Sequence, residues 1–276
     1  MAGEERLTWT VALRLLPRHW RRVAMVGEEL PTADVLGIDV AVGDVDRAAD
    51  TVIARALSGA GGYAVLCNVH VLMTARRRPD VMAAVRDAWA VFPDGAPVAW
   101  VQRRTGMTSA QRIGGPDLMP AVVDRGRSHG LRHALFGSTP DVVSALRQRL
   151  EARHPGVQIV ATCAPGPGDE EKAQTLEQLC AARPHVVWFA LGAPKQELWM
   201  ARKACELAPA LVAGVGAAFD FHAGSKARAP QWLQRAGLEW VHRLASEPRR
   251  LAGRYVTTNT AFVAAAAVQL ARRRPA

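Results

Sequence analysis

The sequence predicts an α/β fold built on a mainly parallel sheet with helices on both faces. Short apolar runs alternate with helical patterns from about residue 63 onward, as expected of strand–helix–strand units. The runs are almost continuously apolar, as in "HVVWFALG", which is typical of strands buried on both sides of a parallel sheet. With 276 residues, of which 49% are hydrophobic, the chain has the length and apolar content for a large core.

The predicted elements follow one another with short connections. Residues 33–57 predict a small β-hairpin that leads into a helix, and residues 139–156 predict a helix capped by Ser138 or Thr139. The predicted strands are 63–71, 89–92, 132–136, 157–165, 185–191 and 211–216. We therefore divide the chain into an N-terminal extension (1–32), an α/β core (33–224) and a basic C-terminal helical appendage (225–276).

Ligands of parallel sheets bind beyond the carboxyl ends of the strands. Polar residues or glycines follow five of the predicted strands, and we expect them to meet on one rim. They are Asn68, Asp94, Gly137 with Ser138, Gly192, and the segment that ends at Asp220.

Asp94 lies in "FPDG", between a proline and a glycine at the end of a predicted strand. A carboxylate exposed there could accept a proton from a substrate hydroxyl as a general base. It could equally cap a helix that begins near Pro97. The local sequence leaves both interpretations open.

The turn "ALGAPKQELW" joins a predicted strand to a helix. Gly192 allows close approach of the backbone, and a helix that starts at Pro194 offers free N–H groups to an anion. Lys195 and Gln196 in the first turn could reach a phosphate or a sugar hydroxyl. Alternatively, Glu197 caps the helix and Lys195 is merely solvated.

No metal or cofactor is expected from the motifs. "DVD" at 44–46 resembles a metal-binding DxD, but Asp44 in front of a helix is better interpreted as its N-cap. "GVGAAFD" lacks the third glycine of a dinucleotide fingerprint. The four cysteines show no metal-ligand spacing and are expected to be reduced thiols of a cytosolic protein.

The net charge of +10 is concentrated near the C-terminus, where eight arginines face two glutamates from Arg235 onward. Such a segment attracts anions, although it could also be a solvated surface. Residues 256–274 predict a helix that either lies on an anionic membrane surface or packs on the core. Aromatic residues in this region are spaced for packing, so we expect no nucleic-acid interface. No apolar run is long enough to span a bilayer.

Several motifs together, in this order, resemble the WecG/TagA/CpsF glycosyltransferases over residues 33 to 260. They are "NVHVLMTARRRPD", "FPDGAPVAWVQRRTG", "RIGGPDLMP", "LFGSTPDVV", "ALGAPKQELW", "GVGAAFDFHAG" and "RAPQWLQRAGLEWVHRLASEPRRLAGRY".

The resemblance implies a Rossmann-like enzyme that needs no metal and moves a sugar from a UDP-sugar to a polyprenyl-diphosphate-linked sugar, with inversion. The sugar would be N-acetylmannosamine or a similar one, and the product would enter cell-surface polysaccharide synthesis. The enzyme would be cytoplasmic, peripheral on the inner face of the plasma membrane, and compatible with a homo-oligomer.

The resemblance also implies roles for single residues. Asp94 falls on the family's catalytic base, and Asn68, Arg112 and Gln196 fall on pocket positions. The appendage residues expected to meet the diphosphates are Arg243, Arg250 and Arg254.

Two alternatives remain. The same fold could use another UDP- or GDP-sugar, such as glucose, glucuronic acid or mannose, because Leu66 replaces a threonine that family members often have. More remotely, the chain could be a non-catalytic anion or nucleic-acid binder, which would leave Asp94 and "GAPKQE" without a role.

Overall fold

The computed structural model describes residues 30–272, apart from residues 167, 171 and 247. Most of the predicted N-terminal extension, residues 1–29, therefore lies outside the described part. The first two strands, β1 (Thr32–Val35) and β2 (Ile38–Ala41), form an antiparallel hairpin. Leu36 and Gly37 make its turn with positive φ angles of 54° and 89°, as tight hairpins require.

Helix α1 (Val45–Ser58) follows the hairpin. The Asp44 side chain accepts a hydrogen bond of 2.8 Å from the Arg47 N–H, so the interpretation of Asp44 as an N-cap is confirmed. The predicted hairpin and its helix are confirmed as well.

The main sheet has six strands, and all neighbouring pairs are parallel. Its spatial order is β4-β3-β8-β7-β5-β6. The strands are β3 (Gly62–Cys67), β4 (Ala90–Pro93), β5 (Arg132–Gly137), β6 (Gln158–Cys163), β7 (Val186–Ala190) and β8 (Leu211–Gly214). The predicted parallel α/β architecture is confirmed.

Helices cover both faces of this sheet. Alternate residues of β7 enter two different apolar clusters, with Phe189 in one and Trp188 in the other. The helices after α1 are α2 (Val69–Arg77), α3 (Pro79–Arg86), α4 (Ala96–Arg104), α5 (Gly115–Gly126), α6 (Pro140–Arg153), α7 (Ala173–Ala181), α8 (Lys195–Lys203), α9 (Ala218–Ala223), α10 (Gln231–Arg235), α11 (Glu239–Ser246) and α12 (Pro248–Arg272).

The structure corrects two predicted boundaries. The strand predicted over 63–71 ends at Cys67, because Asn68 caps a helix there. The sequence "LMTARRRPDVMAAVRDA" (72–88) predicts one helix after this strand, but the helix is split at Arg78, which is held extended (φ −129°, ψ 110°) by the following proline. At the start of α6, Thr139 is the cap: its hydroxyl accepts a 3.4 Å hydrogen bond from the Val142 N–H.

The long C-terminal helix α12 packs on the core. Phe262 and Ala266 are buried in the same apolar cluster as α2. The Gln269 amide donates to the Asp34 carbonyl at 2.9 Å and accepts from the Leu36 N–H at 3.0 Å, which joins the helix to the hairpin. Of the two interpretations of this helix, packing on the core is confirmed. Within the described residues, no helix has both the length and the apolar character needed to cross a bilayer.

Candidate active site

A cavity of about 440 Å³ opens at the carboxyl ends of the central strands. Three parts of the chain line it: strand-to-helix loops of the sheet, the turn between α10 and α11, and one turn of α12. Among its lining residues are Asn68, Asp94, Arg112, Ser138, Gly192, Gln196, Gly216, Asp220, Gln234, Glu239, Trp240, Thr258 and Asn259.

Asp94 is held at this rim by the end of the sheet. Its N–H donates to the Cys67 carbonyl at 3.1 Å, which continues the parallel pairing of β4 with β3 by one residue. Gly95, with φ 117°, occupies the N-cap position of α4, and no side chain caps that helix. The interpretation of Asp94 as a helix cap is therefore wrong, and its carboxylate lies on the cavity.

Asn68 orients that carboxylate. Its Oδ1 accepts a 3.1 Å hydrogen bond from the Val71 N–H and thereby caps α2. This leaves Nδ2 facing Asp94 Oδ2, to which it donates at 3.3 Å. The Asn68 amide therefore hydrogen-bonds both the first turn of α2 and the carboxylate of Asp94, which follows β4.

Two consecutive glycines allow the "RIGG" loop to pass close to Asp94. A Cβ on Gly114 would lie 3.0 Å from Asp94 Oδ1, and a Cβ on Gly115 would lie 2.7 Å from the Val215 carbonyl oxygen. Any side chain at these positions would push the loop off the cavity. The motif alone predicted a site residue only at Arg112, and the spatial role of the two glycines is evident only in the folded chain.

Gln196 reaches the cavity from the first turn of α8, with Glu197 buried behind it. Gln196 Nε2 donates to Glu197 Oε1 at 3.0 Å, and burial raises the pKa of the Glu197 carboxyl. Gln196 Oε1 and Glu197 Oε2 are buried and have no hydrogen-bond partner. Glu197 is therefore a buried acid beneath the site; the interpretation of it as a helix cap is wrong, since no side chain caps α8.

Two predicted site residues do not line the cavity. The Lys195 ammonium pairs with the Glu170 carboxylate instead of facing the pocket. Gly137 brings β5 against β7: at its φ of 106°, a Cβ would lie 2.6 Å from the Ala190 carbonyl oxygen. Ser138 follows with φ 62° and lines the cavity in its place.

Gly192 and Asp220 do line the cavity, as expected of rim residues. Gly192 has φ 80° and open space where a Cβ would be. Asp220 Oδ1 accepts from the Ser225 hydroxyl at 3.3 Å, and its Oδ2 lies 3.5 Å from Lys226 Nζ. The Lys226 ammonium is therefore a positive charge on the cavity wall beside a carboxylate.

Arg112 belongs to a ring of four charged side chains. Its guanidinium contacts Asp117 and Glu239, each at 2.5 Å. Arg228 closes the ring, with contacts of 2.8 Å to Asp117 and 3.4 Å to Glu239. Three of these four residues were not predicted at the site, because the ring joins segments more than 100 positions apart.

The expected diphosphate-binding arginines lie on the last two helices, Arg243 on α11 and Arg250 and Arg254 on α12. Their side chains lie outside the described part of the structure. The same helices also bring Trp240, Thr258 and Asn259 to the cavity. None of these three residues was predicted at the site. Trp240 lies within the last of the family motifs but was interpreted as a packing residue, and Thr258 and Asn259 lie outside those motifs.

All four cysteines are free thiols. Across residues 30–272, with their three gaps, no group of three or more His, Cys, Asp or Glu side chains is arranged to hold a metal ion.

Comparison with known proteins places the chain in a family. The profile of the "Glycosyl transferase WecG/TagA/CpsF family" matches residues 33–276. A relative from Bacillus spizizenii is described as N-acetylglucosaminyldiphosphoundecaprenol N-acetyl-beta-D-mannosaminyltransferase. It is 28% identical over 193 residues, which cover 69% of this chain and 73% of the relative. The family match spans nearly all the described residues and includes every loop that lines the cavity. The chain belongs to the WecG/TagA/CpsF family and is a glycosyltransferase.

Proposed function

We propose that the enzyme transfers N-acetylmannosamine, or a similar sugar, from a UDP-sugar to N-acetylglucosamine linked to a polyprenyl diphosphate. The family match and the activity named for the Bacillus spizizenii relative support this choice of reaction and acceptor. The observation that carries the mechanism is the Asp94 carboxylate, which lies on the cavity and is oriented by Asn68.

In the proposed reaction, Asp94 accepts the proton of an acceptor hydroxyl while the hydroxyl oxygen attacks the anomeric carbon of the donor. The bond between that carbon and the β-phosphate oxygen breaks, and its electron pair leaves with UDP. Attack from the face opposite the leaving group inverts the configuration. The Asn68 amide, which donates to Asp94 Oδ2, orients the carboxylate for this step.

Negative charge grows on the leaving diphosphate, so positive groups near it lower the barrier. The ammonium group of Lys226, which lines the cavity, is one candidate for this role. Arg243, Arg250 and Arg254 remain our prediction for the others, because their helices also supply Trp240, Thr258 and Asn259 to the cavity. Metal independence likewise remains a prediction, and retention of transfer in EDTA would support it.

The test is Asp94→Asn, assayed for transfer from UDP-N-acetylmannosamine to an undecaprenyl-diphosphate-N-acetylglucosamine acceptor. We expect kcat to fall by about 10²- to 10⁴-fold, because the amide cannot accept the proton. Asp141→Asn, on the exposed start of α6, is the matched control and should keep its activity. Wild-type turnover by the Asp94 variant, with an unchanged Tm, would refute the assignment of the base.

A panel of UDP- and GDP-sugars with the same acceptor, scored by product mass, tests the choice of donor. Transfer of glucose, glucuronic acid or mannose in preference to N-acetylmannosamine would contradict the proposed sugar while leaving the role of Asp94 intact.

A further inference from the structure

We infer that Arg112, Asp117, Arg228 and Glu239 form a clasp that holds the α10–α11 turn over Asp94, and that Arg112 is a positioning residue rather than a ligand of the diphosphate. This inference deepens the proposed function and rests on it only for the identity of the reaction. We call residues 234–240, which form the α10–α11 turn and the adjoining ends of both helices, the wall.

The ring of charges bridges two parts of the chain. Arg112, just before α5, and Asp117, in its first turn, lie on the core. Arg228 and Glu239 flank α10. Two of its contacts cross between these parts: Arg112 with Glu239 at 2.5 Å and Arg228 with Asp117 at 2.8 Å. The four side chains are only 15–26% exposed, so solvent screens these contacts less than it screens surface pairs.

The wall also packs on the loop that carries the base. Gly237 lies between α10 and α11 with φ 72°, and a Cβ there would lie 2.8 Å from the Ala96 Cβ. Ala96 begins α4, two residues after Asp94. The wall contributes Gln234, Gly237, Glu239 and Trp240 to the cavity. Movement of the wall would therefore change the space in front of Asp94.

Charge balance favours a permanent clasp. Two guanidinium groups meet two carboxylates, and each guanidinium contacts both carboxylates. A diphosphate that took Arg112 would leave Glu239 facing only the weaker 3.4 Å contact with Arg228. Removing one partner of a partly buried pair leaves an uncompensated charge, which is costly.

Two double variants of equal net charge test the clasp. Asp117→Asn with Arg228→Gln removes one acid and one base but keeps the crossing pair of Arg112 with Glu239. Arg228→Gln with Glu239→Gln also removes one acid and one base, but it leaves only Arg112 with Asp117, both on the core. We expect the first variant, which keeps the shorter of the two crossing contacts, to change kcat and KM much less than the second. The second should raise KM for both substrates by about tenfold, the scale of coupling within one charge network.

Hydrogen exchange of residues 231–241 supplies a readout independent of activity. Amides there, such as that of Leu238, which donates to the Leu233 carbonyl at 2.8 Å, should exchange faster only in the second double variant. Gly237→Ala, which disturbs the wall without changing a charge, should raise KM in the same way. The exposed pair Arg147 and Glu151 is the control, and its neutral double variant should match the wild type in both measurements.

Three outcomes would overturn the clasp. Equal behaviour of the two double variants would mean that charge balance alone matters. A lower KM after loss of Glu239 would mean that Glu239 competes with the diphosphate for Arg112. A fall in active fraction with unchanged KM and unchanged exchange of residues 231–241 would point to general destabilisation. Failure of the Asp94 test would leave the exchange result interpretable, so the two proposals can fail separately.

Discussion

Asn68 and Glu197 show how single polar residues acquire their roles from what surrounds them. Asn68 has one acceptor and one donor group, and the backbone of α2 takes the acceptor, so the donor is left for Asp94. Glu197 is adjacent in sequence to Gln196 but fully buried, and its second oxygen has no partner. The sequence placed both residues at strand or helix ends, but their burial and partners depend on distant segments.

Burial of Glu197 predicts a pH-dependent stability. Because its pKa is raised in the folded state above its ordinary value of 4.5, the folded protein keeps this proton when the unfolded chain has released it. This contribution to stability is therefore lost as the pH rises above 4.5. The side chain introduced by Glu197→Gln cannot titrate. The Tm of this variant minus the Tm of the wild type should therefore increase as the pH is raised from just above 4.5 toward neutral. Thermal unfolding across this range measures the difference.

Glu177→Gln provides the control, since Glu177 is exposed on α7 and should follow the wild type. Parallel Tm curves for the wild type and the Glu197 variant would mean that Glu197 is ionised in the folded protein.

At the scale of elements, two glycines with positive φ angles, Gly137 and Gly192, have different roles. Gly137 ends β5 and Gly192 follows β7; both were predicted to be at the site, yet only Gly192 lines the cavity. Gly137 instead lets β5 pair closely with β7, where a Cβ would meet the Ala190 carbonyl. The sequence located both turns, but the distance to the neighbouring strand depends on a strand order that periodicity does not reveal.

Alanine substitutions should distinguish these two glycines. Gly137→Ala combines a left-handed backbone with a clash and should cost about 3 kcal/mol of unfolding free energy. Gly192→Ala has open space and should cost about 1 kcal/mol, from the backbone alone. Urea unfolding of the two variants measures these costs, and equal losses would contradict the assigned close approach at Gly137.

At the scale of the whole molecule, the C-terminal helix both lines the site and packs on the core. Its residues Thr258 and Asn259 line the cavity, and one turn later Phe262 is buried against the α2 cluster. A domain boundary near residue 225 and contact of the appendage with an anionic membrane stay predictions. Interpretation of the family motifs placed Asp94, Asn68, Arg112 and Gln196 in one pocket, and the structure brings all four to the same cavity.

This arrangement couples stability to activity. Phe262→Ala should lower the free energy of unfolding by about 3 kcal/mol, as expected for a buried aromatic residue. It should also lower kcat/KM, because α12 carries Thr258 and Asn259. Val263→Ala, at a side chain that is 65% exposed, should leave the Tm unchanged. Loss of stability without any loss of kcat/KM would mean that α12 does not position the site.

By itself, the sequence determined the parallel α/β architecture, the hairpin, the helix cap at Asp44, and the position of Asp94 at a strand end. These features follow from local periodicity and capping chemistry, which neighbouring residues control. Tertiary structure alone decided that Lys195 faces away from the cavity, that Glu197 is buried, and that Arg112 meets Glu239. Such contacts join residues far apart in the chain, and they depend on strand order and helix packing that no local pattern encodes.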